Sequence, residues 1–162
     1  MSQFRITVSR DDLVFAAGHF ITYGGRSETL HGHNYRVRVG LEGELDGNSH
    51  VWDFGSLRKL ILPVLGDLDR RTLLPTNNPA LRVVEQDDGV EIFYRDGRYV
   101  FPRRDVVLLP LHNTSAEMLA RYIAGRLRKE LEKTGADRLT RLTVEIEESA
   151  GQWAGCTESF GG

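Results

Sequence analysis

The chain has 162 residues, enough for one domain with a properly buried core. Its 21 lysines and arginines against 23 acids leave a formal net charge of −2, which gives no electrostatic case for nucleic acid or a membrane surface as partner. The single cysteine, Cys156, excludes an internal disulfide; with no signal-peptide pattern in Met1-Ser2-Gln3-Phe4-Arg5 and no apolar run near the roughly 20 residues of a membrane helix, a soluble cytoplasmic protein is expected.

From the N-terminus, Phe4, Ile6 and Val8 alternate with polar residues, the period of a half-buried strand. Tyr35, Val37, Val39 and Leu41 repeat that alternation, and Asp46-Gly47-Asn48-Ser49 marks a turn. Phe54, Leu57, Leu60, Ile61, Val64, Leu65 and Leu68 fall at helical spacing, with a kink expected at Pro63. Val83 to Phe101 reads as a β-hairpin turning at Asp96-Gly97. Ser115 opens a second helix along Leu119, Ile123, Leu127 and Leu131, and Thr134-Gly135 ends it. Leu142, Val144 and Ile146 form a last strand whose apolar face Glu148 continues. With no repeat, linker or low-complexity tract, the expectation is a single α+β domain over residues 1–162, with an inserted hairpin at about 80–108.

The chemistry concentrates in His31-Gly32-His33, preceded by His19 and by Glu28. Residues two apart in a strand point the same way, so His31 and His33 can reach one point, and His19 would complete a three-nitrogen metal site. Three protein ligands with an open fourth position is the arrangement of a catalytic zinc. Glu28, three residues before His31, is close enough to act as acid or base beside that metal.

Phe15-Ala16-Ala17-Gly18-His19 and Leu30-His31-Gly32-His33-Asn34-Tyr35 resemble the 6-pyruvoyltetrahydropterin synthase family, which also includes the 6-carboxytetrahydropterin synthases of queuosine biosynthesis. Val51-Trp52-Asp53-Phe54, Leu68-Asp69, Asn113-Thr114-Ser115-Ala116-Glu117 and Val144 through Glu148 extend the match in the family's order. The resemblance implies a tunnelling fold: a four-stranded antiparallel sheet with two helices on one face. It also implies a homo-oligomer, a hexamer of two stacked trimers, with active sites between subunits. Zn2+ would be held by His19, His31 and His33. Glu148 would anchor the pterin's two ring donors, the Thr114-Ser115 turn would lie against the ring, and Asp69 would be catalytic.

The departures from the family pattern bear on the reaction. The cysteine that serves as base in the pyruvoyl- and carboxy-forming members is Ser27 here, and the family's Asp-His pair reads Asp69-Arg70. Glu28 in Glu-x-x-His-Gly-His resembles instead the subgroup that cleaves the dihydroneopterin side chain. The expected function is therefore a zinc-dependent lyase converting 7,8-dihydroneopterin, or its phosphates, to 6-hydroxymethyl-7,8-dihydropterin by a retro-aldol step. The alternatives are a 6-carboxy- or 6-pyruvoyl-tetrahydropterin synthase and a non-catalytic zinc- and pterin-binding barrel.

Plainer roles compete with each assignment. Glu28 competes with a solvated loop carboxylate, Glu148 with an exposed strand end, and Asp69 with a local partner of Arg70 or Arg71. His112 is a candidate for the missing proton shuttle against an ordinary loop residue. Arg36 and Arg38 are candidates to line the tunnel and attract phosphorylated substrates.

Overall fold

The computed structural model describes residues 2–161. In chain order the elements are β1 (Phe4–Val8), β2 (Val14–His19), β3 (Thr22–Tyr23), β4 (Arg26–Ser27), β5 (His31–Gly43), α1 (Phe54–Gly66), β6 (Arg71–Pro75) and β7 (Arg82–Glu85). They continue with β8 (Gly89–Tyr94), β9 (Gly97–Pro102), a 3₁₀ turn at Arg103–Asp105, β10 (Val106–Leu109), α2 (Ala116–Lys133), β11 (Leu139–Ser149) and β12 (Gln152–Ser159). Two compact units result: the described residues through Phe15 with Asn34–Asp67 and the chain from Ala116 onward, and Ala16–His33 with Leu68–Ser115.

The first unit is the four-stranded antiparallel sheet with two helices that the resemblance implies. β1 and β11 flank β5, and β12 pairs with β11. The alternation along β5 sets Val37, Val39 and Leu41 opposite Ile146, Val144 and Leu142 of β11, and all six side chains are buried. α2 covers β11 and β12, while α1 packs on β1 and α2. Leu57, Ile61, Val64 and Leu65 of α1, and Leu119, Ile123, Leu127 and Leu131 of α2, complete the core. Each full burial of such a side chain stabilises by roughly 1.5–3 kcal/mol, so the α2 stripe alone commits that helix to the sheet.

Local signals set the helix ends. The Asp53 carboxylate accepts the Ser56 N–H at 2.6 Å, capping α1. Pro63 lies inside α1 without ending it, and the helix stops at Gly66, so Leu68 is buried outside it. Phe54, placed on the apolar stripe by its spacing, is 58% exposed. At the end of α2, Gly135 takes φ +86°, and the Thr134 N–H and hydroxyl donate to the Leu131 carbonyl. The strand at Leu142–Ile146 is not the last: β12 follows it along the sheet edge. Only Ala154, Cys156 and Glu158 of β12 turn partly inward, too weak an alternation to read as a strand.

On the opposite face of this sheet, charges pair across strands. Arg38 makes a two-nitrogen contact with Glu145 at 2.8 and 3.1 Å and covers Trp153 at 4.1 Å. Arg36 lies 3.8 Å from Glu147, and Arg141 lies 3.3 Å from Glu42. The expected attraction of phosphates to Arg36 and Arg38 is thus offset by a carboxylate beside each.

The second unit carries parallel pairs. β6 pairs in parallel with β2 through Ala17 and Gly18, and β10 pairs in parallel with β6. A parallel pair needs a long crossover, and the segment between β6 and β10 supplies it. That crossover contains the expected hairpin as β8 and β9, with β7 added as a third strand. The hairpin turns one residue earlier than its Asp-Gly signal, at Arg95-Asp96, with Arg95 at φ +50°. Phe20, Leu74, Val90, Ile92 and Val106 form its core, with Leu30, Tyr99 and Phe101 packed against them. Phe20 and Leu30 are the chain neighbours of His19 and His31, so the crossover sheet packs against the segments that carry both histidines. β6 and β10 are five- and four-residue runs without periodicity, which leaves them unreadable as strands from sequence.

Candidate active site

His19 ends β2, and His31 and His33 begin β5. Their candidate ligand atoms all lie within 4.8 Å of one another. The ring centroids are 4.7, 4.9 and 5.2 Å apart, each pair edge-on. His19 is fully buried, His33 half-buried and His31 exposed, a gradient that opens the cluster on one side. Gly32 turns its Cα the other way, toward β2: an added Cβ would stand 3.1 Å from the Ala17 carbonyl oxygen. A side chain there would press the two strands apart.

Two hydrogen bonds settle which ring nitrogen faces the centre. The Nδ1–H of His19 donates to the Thr114 carbonyl at 2.9 Å, and the Nδ1–H of His31 donates to the Thr29 carbonyl at 2.7 Å. A carbonyl can only accept, so in each neutral ring the proton sits on Nδ1 and the lone pair on Nε2. Backbone carbonyls behind the ring are the usual outer partners of metal-bound histidine. Three imidazoles suit zinc, copper, iron or nickel and leave a position for water or substrate. The residues present therefore fit a metal ion.

Glu28 closes the β3–β4 hairpin. Its N–H donates to the Ile21 carbonyl at 2.9 Å, and its Oε2 accepts the Ile21 N–H at 3.2 Å. The same Oε2 lies 3.9 Å from His31 Nε2, beside the lone pair that would bind the metal. The hairpin turns at Gly24-Gly25 with φ +52° and +74°, both positive as a type I′ turn requires. This hairpin is absent from the sequence reading, although Gly-Gly between Tyr23 and Arg26 is its signal.

Asp69 Oδ1 accepts the Ala16 N–H at 2.8 Å, and the Arg70 N–H donates to the Ala16 carbonyl at 2.6 Å. The pair grips β2 three residues before His19. Thr114 is fully buried; its hydroxyl donates to the Phe20 carbonyl at 3.4 Å while its own carbonyl orients His19. Ser115, next to it, is half-buried.

A family profile described as 6-pyruvoyl tetrahydropterin synthase matches residues 7–159. The chain belongs to the 6-pyruvoyl tetrahydropterin synthase family. It is 32% identical over 143 residues, 88% of each chain, to a Methanocaldococcus jannaschii protein provisionally named 6-carboxy-5,6,7,8-tetrahydropterin synthase. The crystal structure of Plasmodium vivax 6-pyruvoyl tetrahydropterin synthase superposes with a TM-score of 0.93 at 31% identity, covering 99% of this chain and 100% of that one. A variant of the P. vivax enzyme, with alanine in place of a glutamate described as its catalytic residue, gives a TM-score of 0.93 at 30% identity over the same coverage.

Within this 6-pyruvoyl tetrahydropterin synthase family member, the substitutions against the family pattern have visible surroundings. The Ser27 hydroxyl donates to the Glu28 carbonyl at 3.1 Å. Arg70 sits at φ +57° with its side chain 89% exposed, and His112 is exposed. Burial pushes the Cys156 thiol up, with the Glu158 charge adding to the effect. Glu148 belongs to the first unit, half-buried in β11, where the register with β12 shifts between Glu147 and Ser149. Bulges of this kind re-aim a side chain. His19, Glu28, His31, His33, Asp69, Thr114 and Ser115 all belong to the second unit.

Proposed function

We propose that this chain is a zinc-dependent lyase acting on the side chain of a 7,8-dihydropterin, with Glu28 as the proton-transferring base. The observation that carries the reading is the 3.9 Å between Glu28 Oε2 and His31 Nε2. A carboxylate so placed reaches a hydroxyl held at the open position of the histidine cluster. The P. vivax relative, whose catalytic residue is a glutamate, supports the same assignment.

Within that class two reactions compete. The names of the relatives stand with a 6-carboxy- or 6-pyruvoyl-tetrahydropterin synthase, so the comparisons back this alternative more directly than side-chain cleavage. The residues themselves favour cleavage of 7,8-dihydroneopterin or its phosphates. Glu28 is the carboxylate at hand, and the Ser27 hydroxyl is engaged with the backbone.

In the cleavage, Glu28 takes the proton of the C2′ hydroxyl and the C1′–C2′ bond breaks. Its electrons pass into the dihydropterin ring, and a two-carbon aldehyde leaves. Glu28 then returns the proton to C1′, yielding 6-hydroxymethyl-7,8-dihydropterin. Bound zinc would supply Lewis acidity to the side-chain hydroxyls. Asp69 contributes by holding β2 and thereby His19. Glu148 receives the pterin's ring donors, and the Thr114-Ser115 turn borders the ring. A hexamer of two stacked trimers, with sites between subunits, and a cytoplasmic location belong to the same proposal.

The test incubates zinc-loaded protein with dihydroneopterin and its mono- and triphosphates and identifies the pterins by chromatography and mass. 6-Hydroxymethyl-7,8-dihydropterin establishes the cleavage. A 6-carboxy or 6-pyruvoyl product establishes the synthase. Tight pterin binding without turnover leaves only the non-catalytic barrel.

A further inference from the structure

The β3–β4 hairpin that ends on Glu28 has two-residue strands, and an isolated hairpin of that size is marginal in water. Something outside it must set its position. Thr22, the first residue of β3, is held at three atoms. The Asn113 Nδ2–H donates to the Thr22 carbonyl at 2.8 Å, and the Thr22 N–H donates to Asn113 Oδ1 at 3.3 Å. The Asn78 Nδ2–H donates to the Thr22 hydroxyl at 2.8 Å, while Asn78 Oδ1 accepts the Ala80 N–H at 2.9 Å. Asn78 is 4% exposed.

The Asn113 amide thus acts as one rung of a β-ladder, supplying a donor and an acceptor in fixed geometry to a strand edge. Its orientation is determined, because the Thr22 carbonyl only accepts and the Thr22 N–H only donates. The neighbouring bond pair, Ile21 to Glu28, aims the carboxylate. The next residue after Asn113 is Thr114, whose carbonyl orients His19. Two consecutive residues therefore reach both halves of the candidate site, one the metal ligand and the other the hairpin of the base.

We propose that Asn113 is a positioning residue that clamps the Glu28 hairpin in register with His19, with Asn78 as a second anchor on the Thr22 hydroxyl. The inference rests on Glu28 being the base. Misplacing a reacting group by about 1 Å costs on the order of 10²-fold in rate, and this is the scale of effect expected.

The experiment compares Asn113→Ala, Asn113→Asp and Glu28→Ala in zinc-loaded protein. It reads kcat and KM on the turned-over dihydropterin, metal content, and amide hydrogen exchange at Ile21, Thr22 and Glu28. Asn113→Asp has the size of the native side chain but loses the donor to the Thr22 carbonyl, so it serves if the alanine variant does not fold. The expected result is a kcat lower by about 10²-fold in both Asn113 variants, with KM and metal content held and exchange at the three amides accelerated. Wild-type turnover or unchanged exchange in the Asn113 variants, beside an inactive Glu28→Ala, overturns the clamp and leaves the base assignment standing. Full activity in Glu28→Ala removes the base assignment, and the inference falls with it.

Discussion

The Nδ1–H of His19 donates to the carbonyl of Thr114 at 2.9 Å, joining residues 95 positions apart in sequence. The bond leaves the His19 lone pair on Nε2 and turns it into the cluster with His31 and His33. Replacing His19 or His31 with alanine removes a candidate ligand, so metal affinity should fall by more than the roughly 10–100-fold typical of losing an outer partner. Metal content after dialysis against a graded chelator series measures this. Retention of one metal per chain in both variants would mean that the cluster is not the binding site.

Glu28 should separate catalysis from metal binding. General-base assistance contributes about 10²–10⁴-fold, so Glu28→Ala should slow turnover by that factor while the metal stays bound. Glu28→Gln keeps an oxygen for the Ile21 N–H and should be equally slow, because an amide cannot take the proton. A fast Glu28→Gln enzyme would remove the base from the mechanism.

Gly32 should not tolerate a side chain. A Cβ 3.1 Å from the Ala17 carbonyl needs either strand to give way, and overpacking of this kind costs about 1–3 kcal/mol. Gly32→Ala should lower the thermal midpoint and weaken metal binding together, since the displaced strands carry His19, His31 and His33. Calorimetry with and without zinc reads both effects in one experiment.

The Asp53 cap predicts an acid-sensitive fold. The Ser56 N–H at its carboxylate holds Asp53 below the usual carboxylate range; the His50 and Asn48 N–H groups do the same for Asp46, and the guanidinium of Arg98 for Glu91. A group whose folded pKa is depressed stabilises above the ordinary carboxylate range and loses that contribution as pH falls through it. Melting temperatures should therefore drop below that range. At neutral pH, Asp53→Ala should lower the midpoint by about 3 °C while Asp53→Asn, an equally good cap, holds it. As the pH is lowered, the gap between wild type and Asp53→Ala should close; a constant gap would show that Asp53 does not titrate with folding.

Much of the first unit was legible because its elements are long and periodic. Tyr35 to Leu41 and Leu142 to Ile146 alternate cleanly, and the α2 stripe recurs through four turns, so pattern and burial agree residue by residue. The second unit was legible only in its hairpin. β6 and β10 lack periodicity, and β3 and β4 are too short for a pattern to register.

By itself the sequence determined the candidate ligand types and the face they share: histidines two apart in a strand point one way whatever surrounds them, and Glu28 lies within one loop of them. It also determined family membership, through motifs spread along most of the chain. The tertiary structure alone decided the rest. Which nitrogen of His19 faces the centre depends on a carbonyl distant in sequence, and the aim of Glu28 depends on hydrogen bonds to Ile21 in a hairpin anchored by Asn78 and Asn113. Three of these four bonds end on a backbone group, which every residue carries, and the fourth joins two side chains far apart in sequence, so no residue type announces the pairing and only the folded path of the chain brings the partners together.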